Sequence, residues 1–265
     1  MTIAGETRIR FDDGAAYERF MGVWSRIAGG GFLEWLAPPP GARWVDVGCG
    51  NGAFTELVVE RCAPASVDGI DPSDGQLAFA RARTAVSAAR FRSGDAMALP
   101  YADDAFDVAV MALVLFFVPD PPKGVGEMAR VVAPGGLVAA YAWDMHGGGF
   151  PLAAMQAEMR ALGATLPRPP SVDASRSEAM HALWTGAGLV DVAGTSITVE
   201  RTFDDFDDWW TTTRHSPSTG GTLASMPTGD VERLRARMQA ILPTARNGTI
   251  TTTARANAIR GRVPG

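Results

Sequence analysis

Lysine, cysteine and histidine are scarce in this sequence, and the balance of charge is negative. The 265 residues include one lysine, Lys123, with two cysteines and three histidines, and the formal net charge is −5. The negative charge argues against a nucleic-acid-binding protein that relies on a broadly basic surface. The cysteines form no disulfide framework, and no pair of histidines has metal-ligand spacing, so we expect no bound metal.

Long apolar runs and targeting signals are also missing. The longest apolar stretch, Val108 to Val118, is too short to span a bilayer and is typical of a buried strand. Residues 1–30 have neither the basic start nor the apolar core of a signal peptide. We therefore expect a cytoplasmic protein without a membrane span. No feature of the sequence indicates an oligomeric state.

Glycine, in contrast, is abundant, and three glycines form the strongest motif of the chain. Trp44 to Val47 has the pattern of a buried strand, and residues 48–52 (GCGNG) form a turn before a helix that begins near Ala53. Glycine allows the backbone to turn tightly and to approach a ligand, while the helix start leaves N–H groups free. Asp46 precedes the turn, and the G-x-G-x-G spacing differs from the G-x-G-x-x-G of dinucleotide sites.

Strands and helices alternate along the first 143 residues, which predicts a doubly wound parallel sheet. A helix is expected from Ser73 to about Ala88, and a turn at 133–136 should precede the fifth strand, Leu137–Ala142. Gly29-Gly30-Gly31 should break the N-terminal helix in two. Farther on, Val190–Phe203 and Thr249–Arg262 are strand-like, and a Thr/Gly/Ser-rich loop lies between Asp204 and a helix near Asp230.

The residues that carry the motifs resemble those of class I S-adenosylmethionine-dependent methyltransferases. Residues 44–52 (WVDVGCGNG) resemble the first motif of that class, and residues 17–26 (YERFMGVWSR) resemble the N-terminal segment of its UbiE-like, methyltransferase type 11 group. The resemblance covers about Tyr17 to Trp143 and extends loosely to 253–257. It implies a Rossmann-like, seven-stranded α/β sheet that is mostly parallel and has an antiparallel last strand.

The resemblance also implies how the chain is divided. We expect a single domain over 1–265, with N-terminal lid helices at 14–37 and a cofactor-binding core at 41–145. Two helical insertions, 146–175 and 204–246, would form the acceptor pocket. The alternative for the N-terminal segment is a packing helix that covers one edge of the sheet.

The implied cofactor is S-adenosylmethionine, which leaves as S-adenosylhomocysteine. Gly48, Cys49 and Gly50 would hold its methionine end. Asp71 follows the second strand, where an acid accepts hydrogen bonds from ribose hydroxyls or caps the next helix. Asp95 would bind the adenine. The other expected cofactor neighbours lie beside these residues, in the N-terminal segment or after the fourth strand: Tyr17, Met21, Trp24, Ser25, Arg26, Pro72, Gln76, Gly94, Ala96, Met97, Met111, Ala112, Leu113 and Phe116.

No residue is an obvious catalytic base. Many relatives have a histidine after the fourth strand, where this chain has Leu115-Phe116-Phe117-Val118. Phe116 is then either core or an apolar wall near the methyl group. His146, directly after the fifth strand, and His215, in the second insertion, are the candidates for substrate contact.

The sequence thus predicts in-line methyl transfer from S-adenosylmethionine to a small-molecule acceptor, in a bacterial enzyme that relies mainly on alignment. Two alternatives stay open. One is a protein that binds S-adenosylmethionine or S-adenosylhomocysteine without transferring the methyl group. The other is a nicotinamide-dependent oxidoreductase.

Overall fold

The computed structural model describes residues 21–214, 216 and 218–265. Within these residues one sheet contains seven strands in the order β3-β2-β1-β4-β5-β7-β6. The strands are β1 (Arg43–Val47), β2 (Ser66–Asp71), β3 (Arg90–Ser93), β4 (Phe106–Ala112), β5 (Val132–Trp143), β6 (Val190–Phe203) and β7 (Ile250–Arg262).

Helices pack on both faces of this sheet and fill the two insertions. Those that the structure describes are α1 (Val23–Leu36), α2 (Ala53–Cys62), α3 (Asp74–Ala82), α4 (Pro121–Val131), α5 (Ala153–Ala161), α6 (Ser177–Gly186), α7 (Phe206–Thr213), α8 (Gly220–Ser225) and α9 (Thr228–Ile241). None of these helices is long and apolar enough to cross a membrane.

The centre of the sheet is parallel, and its far side is antiparallel. β1 pairs in parallel with β2 and β4, and β4 pairs in parallel with β5. Four of the five β1 residues are buried, as expected of a strand covered by helices on both faces. β7 lies between β5 and β6 and is antiparallel to both. The predicted fold, including its antiparallel last strand, is confirmed.

The predicted break at Gly29-Gly30-Gly31 is wrong, because α1 runs through all three glycines. The reason is close packing. A β-carbon at Gly29 would lie 2.8 Å from Cδ1 of Leu57 on α2, and one at Gly30 would lie 3.1 Å from Nη1 of Arg61. These glycines bring α1 close to α2, and this contact offsets their poor helix propensity.

Two boundaries near the core also differ from the prediction. α3 ends at Ala82 rather than at Ala88, and a short 3-10 turn follows at Thr84–Val86. Arg83, which follows the last residue of α3, is held by a distant part of the chain, because its Nε donates to the carbonyl of Asn51 at 2.6 Å. The turn expected at 133–136 lies inside β5, which begins at Val132. There Gly135 N–H donates to the carbonyl of Val263 at 2.9 Å, which continues the pairing beyond β7.

The second insertion contains two helices where a loop was expected, α7 and α8. α7 is capped by Asp205, whose carboxylate accepts from the N–H of Asp208 at 2.8 Å. Its buried face carries three aromatic side chains, Phe206, Trp209 and Trp210. This amphipathic helix was not predicted, because the segment is rich in tryptophan and threonine. Burial of the three aromatic rings stabilises the helix.

Candidate active site

A cleft lies at the carboxyl ends of the central strands. It has a volume of about 260 Å³, and we call it the strand-end cleft. Such ends are where open parallel sheets bind ligands. Eleven predicted cofactor residues line it together with Ser25: Gly48, Cys49, Gly50, Asp71, Pro72, Gln76, Gly94, Asp95, Ala96, Ala112 and Leu113.

The glycine turn forms the floor of this cleft. The N–H groups of Gly48 and Cys49 both donate to the carbonyl of Ile70, at 2.7 and 3.0 Å, which ties the turn to β2. Gly50 has φ +53°, in the left-handed region that glycine tolerates. A β-carbon at Gly50 would meet nothing closer than Oε1 of Gln76 at 3.9 Å. The space in front of Gly50 is therefore open to a ligand.

Asp71 joins the turn to the start of α3. Its Oδ2 accepts from Gly50 N–H at 3.0 Å, and its Oδ1 accepts from Ser73 N–H at 2.8 Å. Ser73, rather than Asp71, caps α3. Burial raises the pKa of Asp71, and the two backbone hydrogen bonds oppose this shift. Each carboxylate oxygen keeps a further lone pair, so the group can still accept from a diol.

Asp46 is the buried acid of the cleft. Its Oδ2 accepts from Thr55 Oγ1 at 2.6 Å, while its Oδ1 has no hydrogen-bond partner within the described residues. Burial raises its pKa to about 7, and the nearby charge of Asp71 adds to this shift. A buried carboxylate oxygen without a donor fits a ligand cation, such as the ammonium of an amino acid.

The third predicted contact, Gly94-Asp95-Ala96, also reaches the cleft. Asp95 Oδ1 accepts from Met97 N–H at 2.9 Å, and Gly94 N–H donates to the carbonyl of Asp71 at 3.3 Å. The ends of β2 and β3 are therefore held side by side. Asp95 is exposed, so its carboxylate has room for a second donor.

Six predicted cofactor residues in the described part of the chain do not line the cleft, and four of them are Trp24, Arg26, Met97 and Met111. Trp24 is buried and packs edge-on against Trp143, with ring centroids 6.4 Å apart. Arg26 pairs with Glu56 at 2.6 Å and faces α2. Met111 is fully buried in the core below the strand end. Met97 contributes only its N–H, to Asp95. Tyr17 and His215 lie outside the described residues.

Several lining residues escaped the sequence analysis. Tyr141 reaches the cleft from β5, and Phe54 does so from α2, through contacts that no local pattern predicts. The lining residues that follow β4 could have been predicted, because ligands of open parallel sheets bind at the carboxyl ends of the strands. The additional lining residues are Asp46, Asn51, Ala53, Phe54, Ile70, Ser73, Val114, Phe117, Val118, Pro119 and Tyr141.

A second cavity of about 460 Å³ adjoins the strand-end cleft, and we call it the outer cavity. Leu113 and Phe117 line both spaces. Leu113 has φ +61°, a strained value for a branched side chain, and its N–H donates to the carbonyl of Tyr141 at 2.8 Å. Met21 and Phe116, expected beside the cofactor, line the outer cavity instead.

His146 lines the outer cavity, but both of its ring nitrogens are occupied. Nε2 lies 2.8 Å from Oδ1 of Asp173, and Nδ1 lies 3.2 Å from Nη2 of Arg176. Because arginine only donates, Nδ1 accepts and Nε2–H donates to Asp173. His146 in this arrangement has no free lone pair with which to take a proton from an acceptor.

The described residues contain no group of three or more His, Cys, Asp or Glu side chains that could hold a metal ion. The site is therefore a pair of adjoining cavities with backbone donors and buried acids in one, and aromatic walls in the other. This arrangement suits group transfer between two bound organic molecules.

The sheet order and the position of the strand-end cleft define a Rossmann-like α/β fold. A protein family described as a methyltransferase domain matches residues 45–140. This match over residues 45–140 agrees with the family predicted from the glycine motif.

Curated relatives and solved structures agree with this assignment. A demethylmenaquinone methyltransferase of Desulfitobacterium hafniense is 41% identical over 113 residues, which is 41% of this chain and 45% of the relative. A malonyl-[acyl-carrier protein] O-methyltransferase of Methylococcus capsulatus is 33% identical over 136 residues, 51% of this chain and 48% of the relative. The chain thus spans about half the length of the curated relatives it matches.

Among solved structures, phosphoethanolamine N-methyltransferase 2 of Haemonchus contortus, in complex with S-adenosyl-L-methionine, has a TM-score of 0.56 at 16% identity. The match covers 89% of this chain and 52% of the other. The chain is also similar to a protein of Bacillus halodurans assigned as a methyltransferase, with a TM-score of 0.59, 16% identity, and coverage of 89% and 99%. At these sequence identities the structural similarity establishes that this chain shares the fold of both proteins.

Proposed function

We propose that this protein transfers the methyl group of S-adenosylmethionine to a small-molecule acceptor. The observation that carries the proposal is the contact between the two cavities at Leu113 and Phe117. A donor in the strand-end cleft and an acceptor in the outer cavity would meet at this wall. Alignment of two bound reactants is the main contribution that a protein makes to an already activated methyl donor.

The cleft residues fit the donor. S-adenosylmethionine supplies a methyl group on a positively charged sulfur, so no phosphate cradle is required. Asp46 Oδ1 and the open backbone at Gly50 suit its amino-acid end, Asp71 suits its ribose, and Asp95 suits its adenine. The apolar side chains beyond Leu113 exclude water from the reacting centre.

Transfer leaves the acceptor methylated and the donor as a neutral thioether, S-adenosylhomocysteine, since the C–S electron pair stays on sulfur. With both nitrogens of His146 engaged, we infer that the acceptor atom is nucleophilic without His146 as its base. A carbon or an already acidic oxygen meets this condition. The quinone-type acceptors named in the curated relatives provide a starting panel.

For the surroundings of the site we propose the division expected from the sequence, and two sets of lining residues support it. The N-terminal segment contributes Met21 to the outer cavity and Ser25 to the strand-end cleft, in keeping with a lid. The insertions at 146–175 and 204–246 supply most of the outer cavity. We also propose a cytoplasmic, bacterial setting and no nucleic-acid partner, which the two free, buried cysteines and the net charge of −5 support.

Two measurements test this function. Titration calorimetry should show micromolar binding of S-adenosylhomocysteine and much weaker binding of NAD(H). Incubation with methyl-labelled S-adenosylmethionine and a panel of quinols, phenols and carboxylic acids should then label at least one acceptor. Tight NAD(H) binding without S-adenosylhomocysteine binding would refute the assignment, and donor binding without any label transfer would count against a transferase.

A further inference from the structure

The outer cavity carries positive charge without a matching carboxylate. Arg160 and Arg168 both line it, and neither Asp nor Glu does so among the described residues. Both arginines come from the insertion after β5, Arg160 from the end of α5 and Arg168 from the loop beyond it. A guanidinium keeps its charge at any physiological pH and presents a fork of donors that matches a carboxylate.

These two arginines differ from their neighbours. Arg237 pairs with Glu158 of α5 at 3.0 Å, and Arg176 lies 3.4 Å from Asp173. Arg160 donates only to the neutral amide of Gln156, at 3.3 Å. Arg168 has no hydrogen bond or ion pair within the described part of the chain. Arg176 and Arg237 thus have carboxylate partners, whereas Arg160 and Arg168, which are exposed and line the outer cavity, have none within the described residues.

The rest of the outer cavity is lined mainly by apolar side chains, together with the polar side chains of His146, Gln156, Ser216 and Ser218. Its aromatic residues include Phe116, Phe117, Trp143 and Phe150, and Phe117 also lines the strand-end cleft. Aromatic walls favour a flat apolar ligand, because offset stacking adds to the burial of surface. A volume of about 460 Å³ suits a small organic molecule.

We propose that the acceptor is an amphiphile, with a flat apolar ring system and a carboxylate that Arg160 and Arg168 bind. This inference rests on the proposed function and adds the substrate class to it. The ring system lies against the aromatic walls, so the nucleophilic atom faces Leu113 and Phe117. A cationic amine is disfavoured, since two unpaired guanidinium groups would repel it and no described carboxylate lines the cavity to attract it.

The test measures binding to the full chain saturated with S-adenosylhomocysteine. The probes are benzoate, 2-naphthoate and anthracene-2-carboxylate, each with its neutral carboxamide of nearly the same shape. The variants are Arg160→Gln, Arg168→Gln and the double substitution. Arg246→Gln is the matched control, because Arg246 is exposed and lines neither cavity.

At least one carboxylate should bind about tenfold more tightly than its carboxamide, as expected for charge-assisted hydrogen bonds that solvent partly screens. The double variant should reduce this preference to about twofold or less while S-adenosylhomocysteine binds unchanged. The Arg246→Gln protein should keep the full preference.

Two results would overturn the inference: no carboxylate binds better than its carboxamide, or the preference survives in the double variant. Failure of S-adenosylhomocysteine to bind would overturn the proposed function itself and this inference with it, so the two failures are distinguishable.

Discussion

The raised pKa of Asp46 makes donor binding depend on pH. In the free protein burial raises this pKa to about 7, so Asp46 is mostly protonated at pH 5.5. An ammonium beside Oδ1 favours the carboxylate, and binding must then release a proton. The affinity for S-adenosylhomocysteine should therefore rise as the pH rises toward 7.

The size of the effect follows from the two pKa values. If the ammonium returns the pKa of Asp46 to its ordinary 3.8, linkage gives a gain of about 15-fold in affinity between pH 5.5 and 7.0. The unfolding free energy of the free protein moves in the opposite direction. Its folded state holds the proton more tightly than its unfolded state, so stability falls between pH 4 and 7, by at most about 4 kcal/mol from this group.

Calorimetric titrations at half-unit steps of pH would measure the slope. Asp46→Asn should flatten it, because the amide does not titrate. Thr55→Val removes the hydrogen bond that lowers this pKa and should move the rise to higher pH, while Thr55→Ser keeps the hydroxyl and the original profile. A flat profile in the unaltered protein, or an unchanged slope in Asp46→Asn, would refute the reasoning.

Four further substitutions test the rest of the site and the fold. Asp71→Ala should weaken S-adenosylhomocysteine binding by about 1–3 kcal/mol in calorimetry, because the diol and Gly50 N–H lose an acceptor; unchanged affinity would exclude the ribose role. Gly29→Val should lower the free energy of unfolding, measured in urea, by about 1–3 kcal/mol, because the added side chain overpacks against α2. Gly126 has open space around it, so Gly126→Ala should stabilise α4 by about 0.5–1 kcal/mol in the same assay. Arg130→Lys should cost about 1–2 kcal/mol in the same assay, since Arg130 donates to two carbonyls and two carboxylates; no loss would show that this fork is dispensable.

The cofactor side of the site was largely predictable from the sequence. Gly48, Asp71 and Asp95 each follow a strand of a parallel sheet, and such strands end at one edge. Their neighbours along the chain therefore reach the cleft together. Trp24 and Arg26 do not line the cleft, because helical periodicity does not say which face of α1 turns toward it, and partners on β5 and α2 hold these side chains elsewhere.

The acceptor side was much less predictable. Arg160 and Arg168 are ordinary surface arginines by sequence, and their common cavity arises only when the insertion folds back over Phe116 and Phe117. Likewise, the glycines of α1 look like a helix break until α2 is placed 2.8 Å from the missing β-carbon of Gly29. Long-range packing decides such features, and a local pattern does not contain it.

The strand-end cleft and the outer cavity, which share Leu113 and Phe117, are encoded largely by different parts of the gene. The matched family segment ends at residue 140, and nearly all of the strand-end cleft lies within it. Arg160, Arg168 and most other outer-cavity residues lie beyond it. Mutations can therefore accumulate in the insertions and change the acceptor while the donor site is inherited intact. The shape of the outer cavity can thus change through substitutions in the two insertions, 146–175 and 204–246.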